Sequence, residues 1–158
     1  MRTELTIEQS KELIELGISP DNASMVLWCT THDFQNNSIE EQKWNLVSKP
    51  FRPAVMGFEN FTCADIFSIG DLLKIMKRDV LIKINDLEDW CTLKFELGAD
   101  YGSAVYDTWT EMTNGIGTCW IGTETFDEPE PIDSLFKLLK HCINKGLINP
   151  KELFLKKV

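Results

Sequence analysis

The sequence predicts a single α+β domain in which an antiparallel sheet of about four to six strands has helices packed on one face. Three observations favour this fold class. Residues 131–147 have the apolar spacing of a helix, and residues 80–126 alternate apolar and polar side chains between short turns. The length of 158 residues is that of one ordinary domain. We therefore treat residues 1–158 as one domain.

The clearest single element is a helix over about 131–145. Pro131 suits its first turn, where a missing N–H costs nothing, and Gly146 suits the left-handed residue that ends a helix. Its apolar stripe requires a partner, and the preceding strands are the expected one. The stripe consists of Ile132, Leu135, Phe136, Leu139, Cys142 and Ile143.

Two further helices are predicted from their first residues. Thr6 and Gln9 fit a capping box, which predicts a helix over about 7–16. Ser68 is a suitable N-cap for a helix over about 69–77. Both helices are short, so their stability must come from packing on the rest of the domain.

The segment between these two helices predicts a β-hairpin and a connector. Residues 24–30 have the dense apolar content of a buried strand, although a short helix would also fit that content. Residues 43–48 are expected to form a hairpin with this strand. Residues 51–63 contain three phenylalanines without a clear period. We expect an irregular packed connector there.

Four successive strands are predicted in the second half of the chain. Residues 80–84 and 91–97 alternate around a turn at 86–89, and residues 103–110 and 118–126 follow. Because the intervening turns are short, consecutive strands should pair as an antiparallel meander.

Composition narrows the functional classes. The chain has 25 acidic and 16 basic residues, a formal net charge of −9, which argues against nucleic-acid binding and against anionic membranes. No apolar run approaches the ~20 residues that span a bilayer, and the first residues have no signal-peptide core. The five cysteines are an odd number, which favours free thiols over a disulfide framework. We expect a cytoplasmic protein.

No pattern in the sequence predicts a catalytic or cofactor site. The residues around Cys119 are similar to those around the papain-like nucleophile, yet Cys119 begins a predicted strand where that nucleophile opens a helix. Cys29 and His32 have the spacing of half a zinc site. The other candidate pair, His141 and Cys142, is adjacent on a helix, so its side chains diverge by about 100°. We predict no metal and no cofactor.

One group of residues is predicted to face a partner protein. Trp90 alternates with the buried positions of its strand and should point outward. Asp127, Glu128 and Glu130 lie in a predicted acidic loop at 127–130. Exposed aromatic side chains beside acidic ones are typical of protein-binding surfaces, although a second layer covering that face remains an alternative.

Three stretches resemble an uncharacterised family of small proteins from gut-bacterial prophages and mobile elements. They are LTIEQSKELIELGI with ASMVLW (5–18 and 23–28), FSIGDLLKIM (67–76) and EPIDSLFKLLKHCINKGLI (130–148). These motifs concern helix capping and packing. The resemblance therefore implies a shared order of elements and a phage or mobile-element origin, and it implies no activity.

Three functional hypotheses follow. The first is a non-enzymatic accessory protein that binds another protein, the partner being unidentified. The alternative is an acidic inhibitor, immunity protein or nucleic-acid mimic directed at a basic partner, which predicts a contiguous acidic patch. The third is a thiol or metal-dependent enzyme that uses Cys29, His32, Cys119 or His141.

Overall fold

A computed structural model of the protein describes residues 1–30, 37–38, 44–49, 61–112 and 114–154. In these ranges the chain forms three α-helices and eight strands, which are arranged in two antiparallel sheets of three and five strands. This confirms the predicted α+β class. The sequence predicted the larger sheet and did not separate the smaller one from it.

All three predicted helices form, each one or two residues shorter at its end than expected. They are α1 (Ile7–Glu15), α2 (Ile69–Ile75) and α3 (Pro131–Asn144). Short 3-10 helices at Pro20–Asn22 and Pro150–Phe154 also lie in the described ranges.

The helix starts follow the capping logic of the sequence. Thr6 Oγ1 accepts a hydrogen bond from Gln9 N at 3.2 Å, and Gln9 Oε1 accepts one from Thr6 N at 3.0 Å. Ser68 and Asp71 make the same reciprocal pair at the start of α2. Each pair satisfies backbone donors that a helix start otherwise leaves without a partner. Gly146, with a φ of 73°, follows the end of α3 as predicted.

The Asp71 carboxylate also joins α2 to the first sheet. Asp71 is buried, and its Oδ2 atom accepts hydrogen bonds from Ser68 N at 2.9 Å, Ser24 N at 3.0 Å and Ser24 Oγ at 2.8 Å. Three hydrogen bonds to one oxygen replace the bonds to water that the carboxylate loses when it is buried. Asp71 therefore fixes α2 against the residue that precedes the first strand.

The first sheet has the order β2-β1-β3, formed by β1 (Met25–Thr30), β2 (Asn45–Ser48) and β3 (Phe61–Ile66). The predicted hairpin of the first two strands is confirmed, with Val26 opposite Val47. The predicted irregular connector is wrong for residues 61–63, which belong to β3 because they pair along the other side of β1. Residues 51–60 lie outside the described ranges.

The second sheet contains the predicted meander, in the order β4-β5-β6-β7. Its fifth strand, β8, runs along β6 next to β7. The strands are β4 (Asp79–Ile84), β5 (Leu87–Leu97), β6 (Gly102–Glu111), β7 (Thr118–Gly122) and β8 (Phe126–Glu128).

Two predicted boundaries in this sheet are wrong. The first turn consists of Asn85 and Asp86 alone, because Ile84 already pairs with Leu87, and the positive φ of Asn85 (55°) allows so tight a reversal. The predicted strand at 118–126 ends at Gly122.

The predicted acidic loop at 127–130 is likewise wrong for its first two residues. Asp127 and Glu128 lie in β8, where they pair with Ser103 and Gly102 of β6. The edge of β6 continues beyond β7, and a short strand satisfies its backbone groups even though acidic residues disfavour strands.

The main core lies between the second sheet and α3. Tyr106 of β6 is fully buried there, and its hydroxyl donates a 2.5 Å hydrogen bond to the carbonyl of Lys77. A Cβ atom on Gly102 would lie 2.4 Å from Pro131 Cα, so glycine permits the close approach of α3 to β6. Helix α3 therefore covers one face of this sheet, as predicted. Within the described ranges, no helix has both the length and the apolar character needed to cross a membrane.

Candidate functional site

The face of the second sheet that points away from α3 is called the outer face here. Side chains alternate between the two faces along a strand, and directly paired residues share a face. Tyr106 and Ile121 point to the core, so their chain neighbours point outward. The pairings place on the outer face Asp79, Leu81, Lys83, Glu88, Trp90, Thr92, Lys94, Glu96, Ser103, Val105, Asp107, Trp109, Glu111, Thr118, Trp120, Gly122 and Asp127.

Three tryptophans lie on the outer face and are solvent-exposed. Trp109 and Trp120 are direct cross-strand partners, with 66% and 44% of their surface exposed. Trp90 is 60% exposed. Thr92 of β5 pairs with Asp107 of β6, and in this antiparallel pair Trp90, two residues before Thr92, lies on the same side as Trp109, two residues after Asp107. The three side chains therefore lie toward the same end of the outer face. Tryptophans exposed to this degree on one surface carry a large hydrophobic area without a partner in the described part of the chain.

The position of Trp120 is fixed by its neighbours. Its Nε1 atom donates a 3.0 Å hydrogen bond to Asp107 Oδ2, and Lys94 Nζ forms an ion pair with Asp107 Oδ1 at 2.5 Å. A Cβ atom on Gly122 would lie 2.6 Å from Trp120 Cζ2, so the indole lies directly over this glycine. An aromatic side chain held in place before binding loses little conformational entropy when a partner arrives.

The outer face carries six carboxylate side chains and two lysines. Asp79 accepts a 2.7 Å hydrogen bond from Thr92 Oγ1, and Asp107 is engaged as described above. The other four side chains form no ion pair with any described residue. They are Glu88, Glu96, Glu111 and Asp127, all of which are exposed.

The predicted surface residues separate into two pairs. Trp90 points outward as predicted, and Asp127 lies on the same outer face although it belongs to a strand. Glu128 shares the opposite face with Gly102 and forms an ion pair with Lys137 of α3.

The fourth predicted residue, Glu130, is turned toward the protein itself. Its Oε2 atom accepts a 2.7 Å hydrogen bond from the backbone nitrogen of Arg2. The residue also precedes the first turn of α3, where a negative charge is favourable. Glu128 and Glu130 therefore stabilise the fold around α3, and the structure places neither of them beside Trp90.

Comparison with protein-family models, curated proteins and solved structures gave no match.

The residues considered for catalysis or metal binding that the structure describes lie in three different elements, β1, β7 and α3. Cys29 is buried in the first sheet, whereas Cys119 is half-buried in β7 of the second. The His141 ring lies 5.6 Å from the ring of Phe126. His32 lies outside the described residues. Among the residues that the structure does describe, no group of three or more His, Cys, Asp or Glu side chains is arranged to hold a metal ion.

Two other thiols have environments that oppose nucleophilic chemistry. Burial, with a smaller contribution from Asp89 and Asp107, raises the pKa of Cys91 to about 11. Burial alone raises the pKa of Cys142 to about 12. A thiol must lose its proton to act as a nucleophile, so the raised pKa of both side chains opposes nucleophilic attack near neutral pH.

The sequence reasoning missed Trp109 and Trp120 as surface residues. Both fall in predicted strands, but neither strand has the clear alternation that distinguishes Trp90. A usable signal is present in Asn114-Gly115, because a hairpin centred there pairs Glu111 with Thr118 and hence Trp109 with Trp120. The exposed charge of Glu111 then indicates which face is outward.

Proposed function

We propose that this protein is a non-enzymatic accessory protein of a phage or mobile element and that it binds another protein through its outer face. The proposed origin is supported only by the sequence resemblance described above, which covers residues 5–18, 23–28, 67–76 and 130–148. The proposed mode of action is supported by the outer face itself. The observation that carries it is the exposed, directly opposed pair Trp109 and Trp120.

The area of these side chains is large enough to matter for binding. Trp109 is 66% exposed. With roughly 250 Å² for a tryptophan side chain and ~25 cal/mol per Å², burying that exposed part contributes about 4 kcal/mol before the costs of association. Tryptophan is also among the residues most enriched at energetic hot spots of protein interfaces.

A second candidate is the acidic inhibitor, immunity protein or nucleic-acid mimic. It is favoured by the four outer-face carboxylates that have no ion-pair partner among the described residues. Such a protein occupies the basic groove of its target mainly through charge, so association should weaken steeply with salt and DNA should compete with it. Loss of Trp109 should matter less to it than loss of Glu88, Glu96 or Glu111.

Site-specific photo-crosslinking tests the leading proposal. A photoreactive residue is placed at Thr118, which is exposed on the outer face next to Trp120, and the protein is expressed in the cells of its origin. A matched control carries the same residue at Glu15, which is exposed at the end of α1. We expect a defined protein adduct from position 118 and not from position 15.

The adduct must also depend on the tryptophans. Trp109→Ala in the Thr118 derivative should remove it, because the variant loses the largest exposed area of the face while the core residues are unchanged. Equal crosslinking from both positions, or an adduct that survives Trp109→Ala, would contradict binding through the outer face.

A further inference from the structure

We infer that the partner inserts an arginine or lysine side chain into a cation subsite formed by Trp109, Glu111 and Trp120. This inference depends on the proposed function, since it specifies the chemistry that the outer face recognises. The subsite lies at the end of the β6–β7 pair, close to the turn that joins these strands.

The pairing of β6 and β7 brings the three side chains together. Trp120 is the direct partner of Trp109. Glu111 follows Trp109 by two residues on the same face, about 7 Å along the strand. Its own partner across the sheet is Thr118, a small neutral residue, so the direct cross-strand neighbour does not block the carboxylate from the indoles.

Glu111 is the carboxylate that is available beside this tryptophan pair. Asp107 is occupied by Lys94 and by the indole nitrogen of Trp120. Glu88 faces Lys83 directly across β4 and β5. Glu111 is exposed and forms no ion pair within the described ranges, so its charge remains to attract a cation.

The indoles present the surface that a cation prefers. Trp120 already donates its single N–H to Asp107, so it offers a ligand its ring and no hydrogen-bond donor. A cation over an aromatic face is attracted by the negative ring face, and a planar guanidinium also stacks on it. The uncommitted carboxylates around the subsite repel an acidic partner at the same time.

Selection from a displayed library of random peptides tests the subsite even while the natural partner is unidentified. Peptides are selected on the wild-type protein, and their affinities are then measured for Glu111→Gln, for Trp109→Ala and for the control Glu15→Gln. Glu111→Gln removes one charge at the subsite, whereas Glu15→Gln removes the same charge at the exposed end of α1.

We expect the selected peptides to be enriched in arginine or lysine. Glu111→Gln should weaken them about ten-fold, the scale of one charge-assisted contact, and Trp109→Ala about 30-fold or more. Glu15→Gln should change the affinity by less than about two-fold. Circular dichroism of each variant verifies that the fold is intact, and Trp109→Phe, which keeps an aromatic ring, should bind with intermediate affinity.

The possible failures are distinguishable. Selected peptides that need Trp109 but are not enriched in basic residues, or that bind Glu111→Gln as well as wild type, would overturn the cation subsite and leave the proposed function standing. Peptides that bind Trp109→Ala and wild type equally, or a selection that yields no peptide, would count against the proposed function itself.

Discussion

Substitution of Gly122 by alanine tests how the outer face is built. The added Cβ would lie 2.6 Å from Trp120 Cζ2, 2.6 Å from the Tyr106 carbonyl oxygen and 2.8 Å from Asp107 Cβ. Ordinary contacts between carbon atoms are about 3.5–4.0 Å, so the neighbours must move by about 1 Å. The indole can rotate away, but the carbonyl oxygen belongs to the backbone of β6.

The cost of this movement can be estimated from two contributions. Overpacking in a well-packed site costs about 1–3 kcal/mol. The Tyr106 carbonyl also accepts a 2.8 Å hydrogen bond from Thr123 N, and weakening that bond adds about 1 kcal/mol. We therefore expect Gly122→Ala to lower the free energy of unfolding by about 2–4 kcal/mol, and to make Trp120 more accessible to collisional quenchers.

Urea unfolding followed by circular dichroism measures the change. Gly70→Ala is the matched control, since a Cβ there meets only Ser68 Oγ at 3.6 Å, and alanine in a helix is favoured over glycine by about 0.5–1 kcal/mol. In the Gly122→Ala/Trp120→Ala double variant, part of the loss should disappear because one of the three contacts is gone. A Gly122→Ala variant as stable as wild type, or no coupling to Trp120→Ala, would refute the described position of the indole.

The remaining predictions concern buried polar groups. Tyr106→Phe should lower the free energy of unfolding by about 1–3 kcal/mol in urea titrations, because it removes the hydrogen bond from the fully buried Tyr106 to the partly buried Lys77 carbonyl. Asp71→Ala should cost about 2–4 kcal/mol by the same measurement, since Oδ2 accepts three hydrogen bonds. Cys91 and Cys142 should resist alkylation at pH 8 in the folded protein and react once it is unfolded in urea. Because burial raises the pKa of both thiols from about 9, the unfolded chain loses these protons first, and stability should fall as pH rises from about 9 towards 11. Rapid alkylation of both folded-state thiols, or alkaline stability that does not decline, would contradict this assignment.

Elements with local signals could be predicted from the sequence. These signals act through hydrogen bonds or dihedral angles within a few residues. They are the pair Thr6 and Gln9, Ser68 at the start of α2, and Pro131 and Gly146 at the two ends of α3. The meander was predictable for the same reason, because consecutive strands pair across short turns. Trp90 was placed correctly because its strand has a clear alternation.

The elements that were missed depend on partners distant in the chain. β3 forms because residues 61–66 complete the free side of β1, more than 30 residues earlier. β8 forms because β6 extends beyond β7 and offers unpaired backbone groups to Asp127 and Glu128. The β8 segment has no strong preference of its own for a strand, so the surrounding fold determines its conformation.

The candidate site could not be predicted for the same reason, because it depends on residues that are distant in the chain. Acidic residues near in sequence, at 127–130, form one predicted surface, yet alternation within β8 sends Asp127 and Glu128 to opposite faces. Trp109 and Trp120 are 11 residues apart and meet only through the register of β6 and β7. The surface that α3 leaves uncovered is thus assembled by strand pairing.

The affinity of the crosslinked partner for the Trp109→Ala/Trp120→Ala variant tests the central claim most directly. The partner is purified and titrated against wild-type protein and against this double variant, whose fold is verified by circular dichroism. We expect the double variant to bind at least about 100-fold more weakly, because the opposed tryptophans supply the exposed apolar area of the outer face. A folded double variant that binds with wild-type affinity would contradict the account.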